Sequence, residues 1–123
     1  MPERTLRDCR ILVVEDEYML ADELRIELGD VDAIVLGPVG TVEDALNQIR
    51  AETHIDGAIV DVNLRGEMAF PVADLLANRG VPFLFATGYD EATIPARFAE
   101  VARCEKPISM PRVIRAIGRA VHA

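Results

Sequence analysis

The sequence has no run of about 18 uncharged apolar residues, the length needed to cross a bilayer as a helix. Its opening "MPERTLRDCR" puts charges where the apolar stretch of a secretory signal would lie, so a cytoplasmic protein with no membrane association is expected. Basic residues are scarce: 13 Lys and Arg against 21 Asp and Glu leave a formal net charge of -8. They do not gather into the interleaved basic and aromatic pattern of a nucleic-acid surface, and no nucleic-acid partner is expected. Cysteine is limited to Cys9 and Cys104, each beside a strand-like run, where a free thiol behaves as a small buried hydrophobe rather than half of a redox pair. What is plentiful is apolar: half of the 123 residues. That is enough for one domain spanning 1–123 that buries roughly two-thirds of its unfolded surface without disulfides or a structural metal.

Apolar runs of strand length occur at "RILVV", "AIVLG", "GAIVD", "PFLFAT" and "VARCE", separated mostly by segments of helical periodicity. The alternation predicts an α/β fold built on a doubly wound, five-stranded parallel sheet. Leu20, Leu24 and Leu28 predict a first helix that Gly29 stops. Thr41 is the N-cap candidate of a second, with acids in its first turn. A third helix starts near Pro71 and ends at Gly80, and the last runs from about Ser109, with Pro111 in its first turn. Between them, "GYDEATIPARFAE" carries Pro95 and the β-branched pair Thr93-Ile94, which oppose a regular helix, so a short or irregular fourth element is expected.

In open parallel sheets, functional groups gather beyond the carboxyl ends of the strands. Glu15, Asp16 and Glu17 follow the first strand, Asp61 ends the third, Thr87 the fourth, and Lys106-Pro107 follows the fifth; the second ends in Gly37-Pro38. With the strand order 2-1-3-4-5, the first and third strands are neighbours, which brings Asp16 and Asp61 together. Clustered carboxylates with no His or Cys at metal spacing point to a hard cation, and Mg2+ is the one expected. A carboxylate nucleophile, a divalent cation, a lysine and a hydroxyl suit the acceptance of a phosphoryl group, with Asp61 as the acceptor. Taken alone, the "EDE" run is a solvated acidic turn and Thr87 and Lys106 a turn hydroxyl and a surface amine; their weight comes from the constellation.

The stretches "ILVVEDE", "AIVDVNL", "FATG" and "CEKP" resemble the four signatures of bacterial response-regulator receiver domains, and the resemblance covers essentially the whole chain. It implies the flavodoxin-like receiver fold, an acyl phosphate on Asp61, Mg2+ held by Asp16, Asp61 and the Asn63 carbonyl, and help from Glu15 through water or an indirect contact. It implies further that Lys106 pairs with the phosphoryl oxygens and that Thr87 swings its hydroxyl toward them, and the Lys106-Pro107 peptide is commonly cis in this family. "FAT" then ends its strand with the hydroxyl where the phosphoryl group arrives, and Gly88 lets a backbone amide approach. The expected partners are a histidine kinase or phosphotransfer protein and a downstream protein target. The resemblance makes the chain a signalling module that modifies only itself, not an enzyme with an outside product.

"PFLFATGY" is also similar to a single-domain receiver subgroup with an F-A-T-G motif, linked with HWE-type or related histidine kinases and stress signalling. The chain departs from most receivers in two ways. Arg103 stands three positions before the lysine, where an aromatic switch residue is usual, and the interval from Thr87 to Lys106 is short. Tyr89 is the candidate replacement, with residues 88–100 a segment that phosphorylation orders; a half-buried loop aromatic is the bland alternative.

Two surface features remain. Arg112, Arg115, Arg119 and His122 form a basic stripe on the last helix, a solvated face or a means of steering an acidic partner. Met19 and Ile26 lie opposite the leucine stripe of the first helix, near where the resemblance implies that kinase partners dock. His54 has no assigned role. Three other readings compete: a small Mg2+-dependent phosphatase of the haloacid-dehalogenase type, a flavodoxin-like or nucleotide-binding module, and a receiver-like scaffold that works without phosphorylation. The first expects a D-x-D motif after the first strand, where Glu15-Asp16-Glu17 stands. The second needs glycine and hydroxyl residues there, and three acids would repel a bound phosphate.

Overall fold

The computed structural model describes residues 5–88 and 94–123. Along the chain come β1 (Arg10–Val14), α1 (Tyr18–Asp30), β2 (Ile34–Val39), α2 (Val42–Ala51), β3 (Gly57–Asp61) and a small ribbon, β4 (Asn63–Leu64) with β5 (Glu67–Met68). Then follow α3 (Phe70–Asn78), β6 (Phe83–Thr87), a single 3-10 turn at Ala96–Phe98, β7 (Arg103–Glu105) and α4 (Met110–Val121). The five long-range strands pair in parallel in the order β2-β1-β3-β6-β7. This is the expected doubly wound order 2-1-3-4-5, with the antiparallel β4–β5 ribbon set apart from the main sheet.

Side-chain alternation along the strands divides the core into two clusters, one on each face of the sheet. Leu12 and Val14 join Ala58, Val60 and Phe85 against Ile49 of α2 and Val72 and Leu76 of α3. Ile11 and Val13 join Ile59 and Leu84 against Leu24 and Leu28 of α1 and Val113 and Ile117 of α4. Both faces of β3 are therefore covered, and all five of its residues are buried. Gly57 has a packing reason: a Cβ there would lie 2.7 Å from Val121 Cγ2, so only glycine lets α4 settle this close to β3.

The caps follow from sequence. Thr41 Oγ1 accepts from the Asp44 amide at 3.0 Å, Ser109 Oγ accepts from the Arg112 amide at 3.4 Å, and Pro71 and Pro111 occupy first turns where no amide donor is missed.

Two boundaries differ from expectation. Gly29 does not stop α1, which continues to Asp30 because nothing crowds or strains that position; the reversal occurs at Asp32, with φ 65°. β2 does not end at Gly37-Pro38 but runs on to Val39, with a register shift opposite Leu12 and Val14 that absorbs the distortion. The Gly37-Pro38 and Lys106-Pro107 peptides are both cis.

Among the described residues the fourth helical segment is a 3-10 turn that begins just after Pro95. Phe98 from that turn is buried against Phe70, Phe83 and Phe85, with ring centroids 5.5–6.3 Å away. All four phenylalanines of the chain thus meet on one face of the sheet, leaving the other face aliphatic. Among the described residues no helix is long and apolar enough to cross a membrane.

Candidate functional site

Parallel pairing continues past the strand ends and places the polar residues. The Glu15 amide donates to the Val39 carbonyl at 2.9 Å, Val62 to Ala86 at 3.1 Å, and Lys106 to Thr87 at 2.7 Å. Glu15, Asp61 and Thr87, each within a residue of a strand end, are the three buried polar or charged side chains among the described residues. The structure therefore brings Glu15, Asp16, Asp61, Asn63, Thr87 and Lys106 to one edge, as expected from the strand order.

Lys106 joins two of the acids. Its Nζ donates to Asp61 Oδ2 at 2.8 Å and lies 3.4 Å from Glu15 Oε2. The other Asp61 oxygen, Oδ1, accepts from the Asn63 amide at 3.1 Å. Glu15 Oε2 accepts from the Glu17 amide at 3.0 Å, while Glu15 Oε1 is buried with no hydrogen-bond partner. Such an orphan acceptor is costly unless something positive reaches it.

Burial pushes the Glu15 carboxyl up to about 7; the neighbouring Asp61 adds to the rise, and the Glu17 amide and Lys106 oppose it. For Lys106, burial pulls downward, but hydrogen bonding and charge from Asp61, then from Glu15, leave the ammonium above its ordinary value. Both directions describe a carboxylate group too crowded for one cation to neutralise.

Carboxylate oxygens of Glu15, Asp16 and Asp61 lie within 4.8 Å of one another. Hard oxygen donors, an excess of negative charge and the unpartnered Glu15 Oε1 suit a small divalent cation, so this donor set fits one. Glu15 contributes one oxygen to this group beside those of Asp16 and Asp61. On the other side of Asp61, a cavity of about 180 Å3 is lined by Asp61, Asn63, Met68, Thr87 and Ile94. The nucleophile candidate thus lies between an acidic cluster and a small cavity that also holds the hydroxyl residue.

Arg65 was not anticipated. The β4–β5 ribbon turns at Arg65-Gly66, with φ 53° and 88°, and the Gly66 amide donates to Asn63 Oδ1 at 2.7 Å. This turn puts Arg65 Nε 3.9 Å from Asp16 Oδ2, at the rim of a hollow that Tyr18, Arg25 and Pro38 also line. The signal was the residue-glycine pair Arg65-Gly66, the mark of a two-residue hairpin. Met19 and Ile26 are exposed rather than covered by loops, together with Tyr18 at 80%. Gly88 follows Thr87 on the cavity wall, and among the described residues nothing lies within 4 Å of a Cβ placed there. Tyr89, and the part of the proposed switch from 89 to 93, lie outside the described residues.

Comparison with known proteins follows this geometry. No family model and no curated protein matches the chain. Among solved structures it is similar to SdrG from Sphingomonas melonis Fr1, at 38% identity over 99% of this chain and 100% of that one, with a TM-score of 0.81. It is likewise similar to the BeF3-activated conformation of SdrG from Pseudomonas melonis Fr1, at 39% identity over 94% and 98% of the two chains, with a TM-score of 0.76. In fold alone it matches the receiver (REC) domain of the response regulator PhyR from Erythrobacter litoralis, at 19% identity over 94% and 92%, with a TM-score of 0.82.

Proposed function

Because the chain belongs to the response-regulator receiver family, we propose that its Asp61 carboxylate accepts a phosphoryl group from a histidine kinase or phosphotransfer protein. The observation that carries this reading is the position of Asp61. It is buried, fixed through Oδ1 by the Asn63 amide, held by Lys106 at Oδ2, and set between the acidic cluster and the small cavity. That SdrG has been described in a BeF3-activated conformation supports the same chemistry in this similar chain.

An Asp61 oxygen attacks phosphorus in line with the bond to the donor's imidazole nitrogen; the P–O bond forms as the P–N bond breaks, and its electron pair stays on the nitrogen. Lys106 stays within reach of the incoming oxygens and offsets their charge. Thr87, buried at the end of β6 and lining the cavity, supplies a hydroxyl toward the new group. Glu15, Asp16 and Asp61 would hold Mg2+, with the Asn63 carbonyl as a further donor. When bound, the ion supplies positive charge to the acids and to the phosphoryl oxygens. Phosphorylation would then be read by a downstream protein or passed along a relay, with hydrolysis restoring the carboxylate. The chain makes no product other than its own modified form. HWE-type kinases as donors, the F-A-T-G subgroup and a cytoplasmic location complete the proposal.

The test is intact mass after incubation with acetyl phosphate, with and without Mg2+, for the native chain and Asp61→Asn. A gain of one phosphoryl group that needs Mg2+ and is absent in the variant is expected. The same gain in Asp61→Asn would move the acceptor elsewhere, and no gain from acetyl phosphate or from a panel of phosphorylated kinases would favour a phosphorylation-independent scaffold.

A further inference from the structure

Two cations meet the acidic cluster, and they meet different acids. Lys106 is bonded to Glu15 and Asp61, while Arg65 Nε lies 3.9 Å from Oδ2 of Asp16. The contacts also differ in kind. The Lys106 side chain is 27% exposed and donates to Asp61 at 2.8 Å. Arg65 is 74% exposed, and 3.9 Å is beyond hydrogen-bond length, so its contact with the more enclosed Asp16 is one of charge.

Turn chemistry does not account for an arginine at this place. Arg65 and Gly66 have φ of 53° and 88°, the left-handed pair of a two-residue hairpin, whose first position favours Asn, Asp or Gly. The turn is fixed instead by Asn63. Its Oδ1 accepts from the Gly66 amide at 2.7 Å, and its own amide donates to Asp61 Oδ1 at 3.1 Å. The residue that holds the Asp61 carboxylate therefore also sets where Arg65 stands. Stability does not account for the arginine either, because an exposed ion pair contributes little. What Arg65 changes is the charge at Asp16.

We propose that Arg65 is a tethered competitor of the cation: its guanidinium rests on Asp16 in the cation-free protein and is released when Mg2+ takes that carboxylate. The inference rests on the proposed Mg2+ site and not on phosphoryl acceptance. Three ionised acids and Lys106 leave two negative charges, which a divalent ion balances; with Arg65 still on Asp16 the group would be left positive. Competition for one carboxylate is reciprocal, so Arg65 lowers cation affinity by the factor by which the cation weakens its hold. Release costs little, since most of Arg65 already faces water. The hollow of about 520 Å3 that it lines with Asp16, Tyr18 and Arg25 gives it room. Arg25 lines the same hollow but is engaged with Asp22 at 2.6 Å. Arg65 acts through Asp16 and touches no reacting group.

The experiment is a Mg2+ titration of isotope-labelled protein at pH 7 and low salt, with no phosphoryl donor present. The Asp16 and Asn63 amides and the Arg65 Cδ signal are followed in the native chain, Arg65→Gln, Arg65→Lys and Arg25→Gln. Arg65→Gln should bind Mg2+ about fivefold more tightly than the native chain, the size expected for one unit charge beside a partly exposed site. Arg65→Lys keeps the charge and Arg25→Gln removes one already engaged, so both should stay within about twofold of native. In the native chain the Arg65 Cδ signal should move with the same midpoint as the Asp16 amide. An unchanged or weaker affinity in Arg65→Gln, an Arg65→Lys that behaves like Arg65→Gln, or an Arg65 signal that stays put at saturation would overturn the proposal. Absence of Mg2+ binding in the native chain and every variant would overturn the cation reading itself, and this inference with it. Binding in the native chain that Arg65→Gln leaves unaltered would overturn the inference alone.

Discussion

The two ends of the sheet treat acidic residues in opposite ways. At the amino-terminal edge, Asp56 accepts the Arg10 amide at 2.8 Å and pairs with His54 at 2.8 Å, while Glu52 takes the Arg10 guanidinium. At the carboxyl-terminal edge, three carboxylates converge, two share one lysine, and one oxygen has no partner. Charges with private partners serve the fold. Charges left in surplus where five strands point are held in place by the fold at a cost, and that surplus is what a cation and a phosphoryl group can use. His54, which had no role in the sequence, is one of the partners of Asp56 at that edge.

The sharpest way to break this contrast is Lys106→Ala, which strips the shared cation from a buried pair. It should destabilise the metal-free protein by about 2–3 kcal/mol in denaturant unfolding at pH 7, with added Mg2+ recovering much of the loss. The Lys106 ammonium is held above its ordinary 10.5, so its contribution is present below that value and disappears as pH rises through the folded-state value. The deficit of the variant should therefore shrink as pH rises beyond 10.5. An unchanged midpoint at pH 7 would mean that the acids are not straining against one another.

Next in size is Glu15→Gln, expected to have the opposite sign. Between about 4.5 and about 7 the native chain keeps a proton on Glu15 that the unfolded chain has lost, so stability falls with rising pH across that window. In metal-free buffer at pH 8 the variant should be more stable than the native chain by about 1–3 kcal/mol, and at pH 4 the two should coincide. Mg2+ should stabilise the native chain more at pH 8 than at pH 5, and do so far less for the variant. A variant that is less stable at pH 8 would show that Glu15 is a private partner of Lys106 rather than surplus charge.

Asp56→Ala probes the other edge. Loss of its two partners should cost about 1–2 kcal/mol and leave the rate of phosphoryl gain from acetyl phosphate unchanged. A fall in that rate without unfolding would erase the distinction between the two edges. The smallest effect belongs to Arg25→Ala, an exposed i,i+3 pair with Asp22, where less than about 0.5 kcal/mol is expected.

Much of this was written locally. The runs Arg10–Val14 and Gly57–Asp61 have the strand limits that alternation and turn residues suggested, and Thr41, Ser109, Pro71 and Pro111 mark helix starts because caps are short-range interactions. Gly29 and Pro38 misled for the same reason: a glycine permits a stop without imposing one, and a proline on an edge strand need not end it. The β4–β5 ribbon went unread, and with it Arg65, because two-residue strands leave almost no periodicity.

What the sequence by itself determined was a set of strands, all but the second leading into a polar residue, and enough apolar surface on both faces to stack them. What only the tertiary structure decided was how those ends share charge. Lys106 reaches Glu15 across 91 positions, Glu15 Oε1 is left without a donor, and three arginines on α4 pair with no acid among the described residues. Side-chain periodicity acts over one turn or one pleat and so can be read along a chain. Coulomb and desolvation energies depend on distance and burial in space, which exist only once the sheet has brought remote strand ends together.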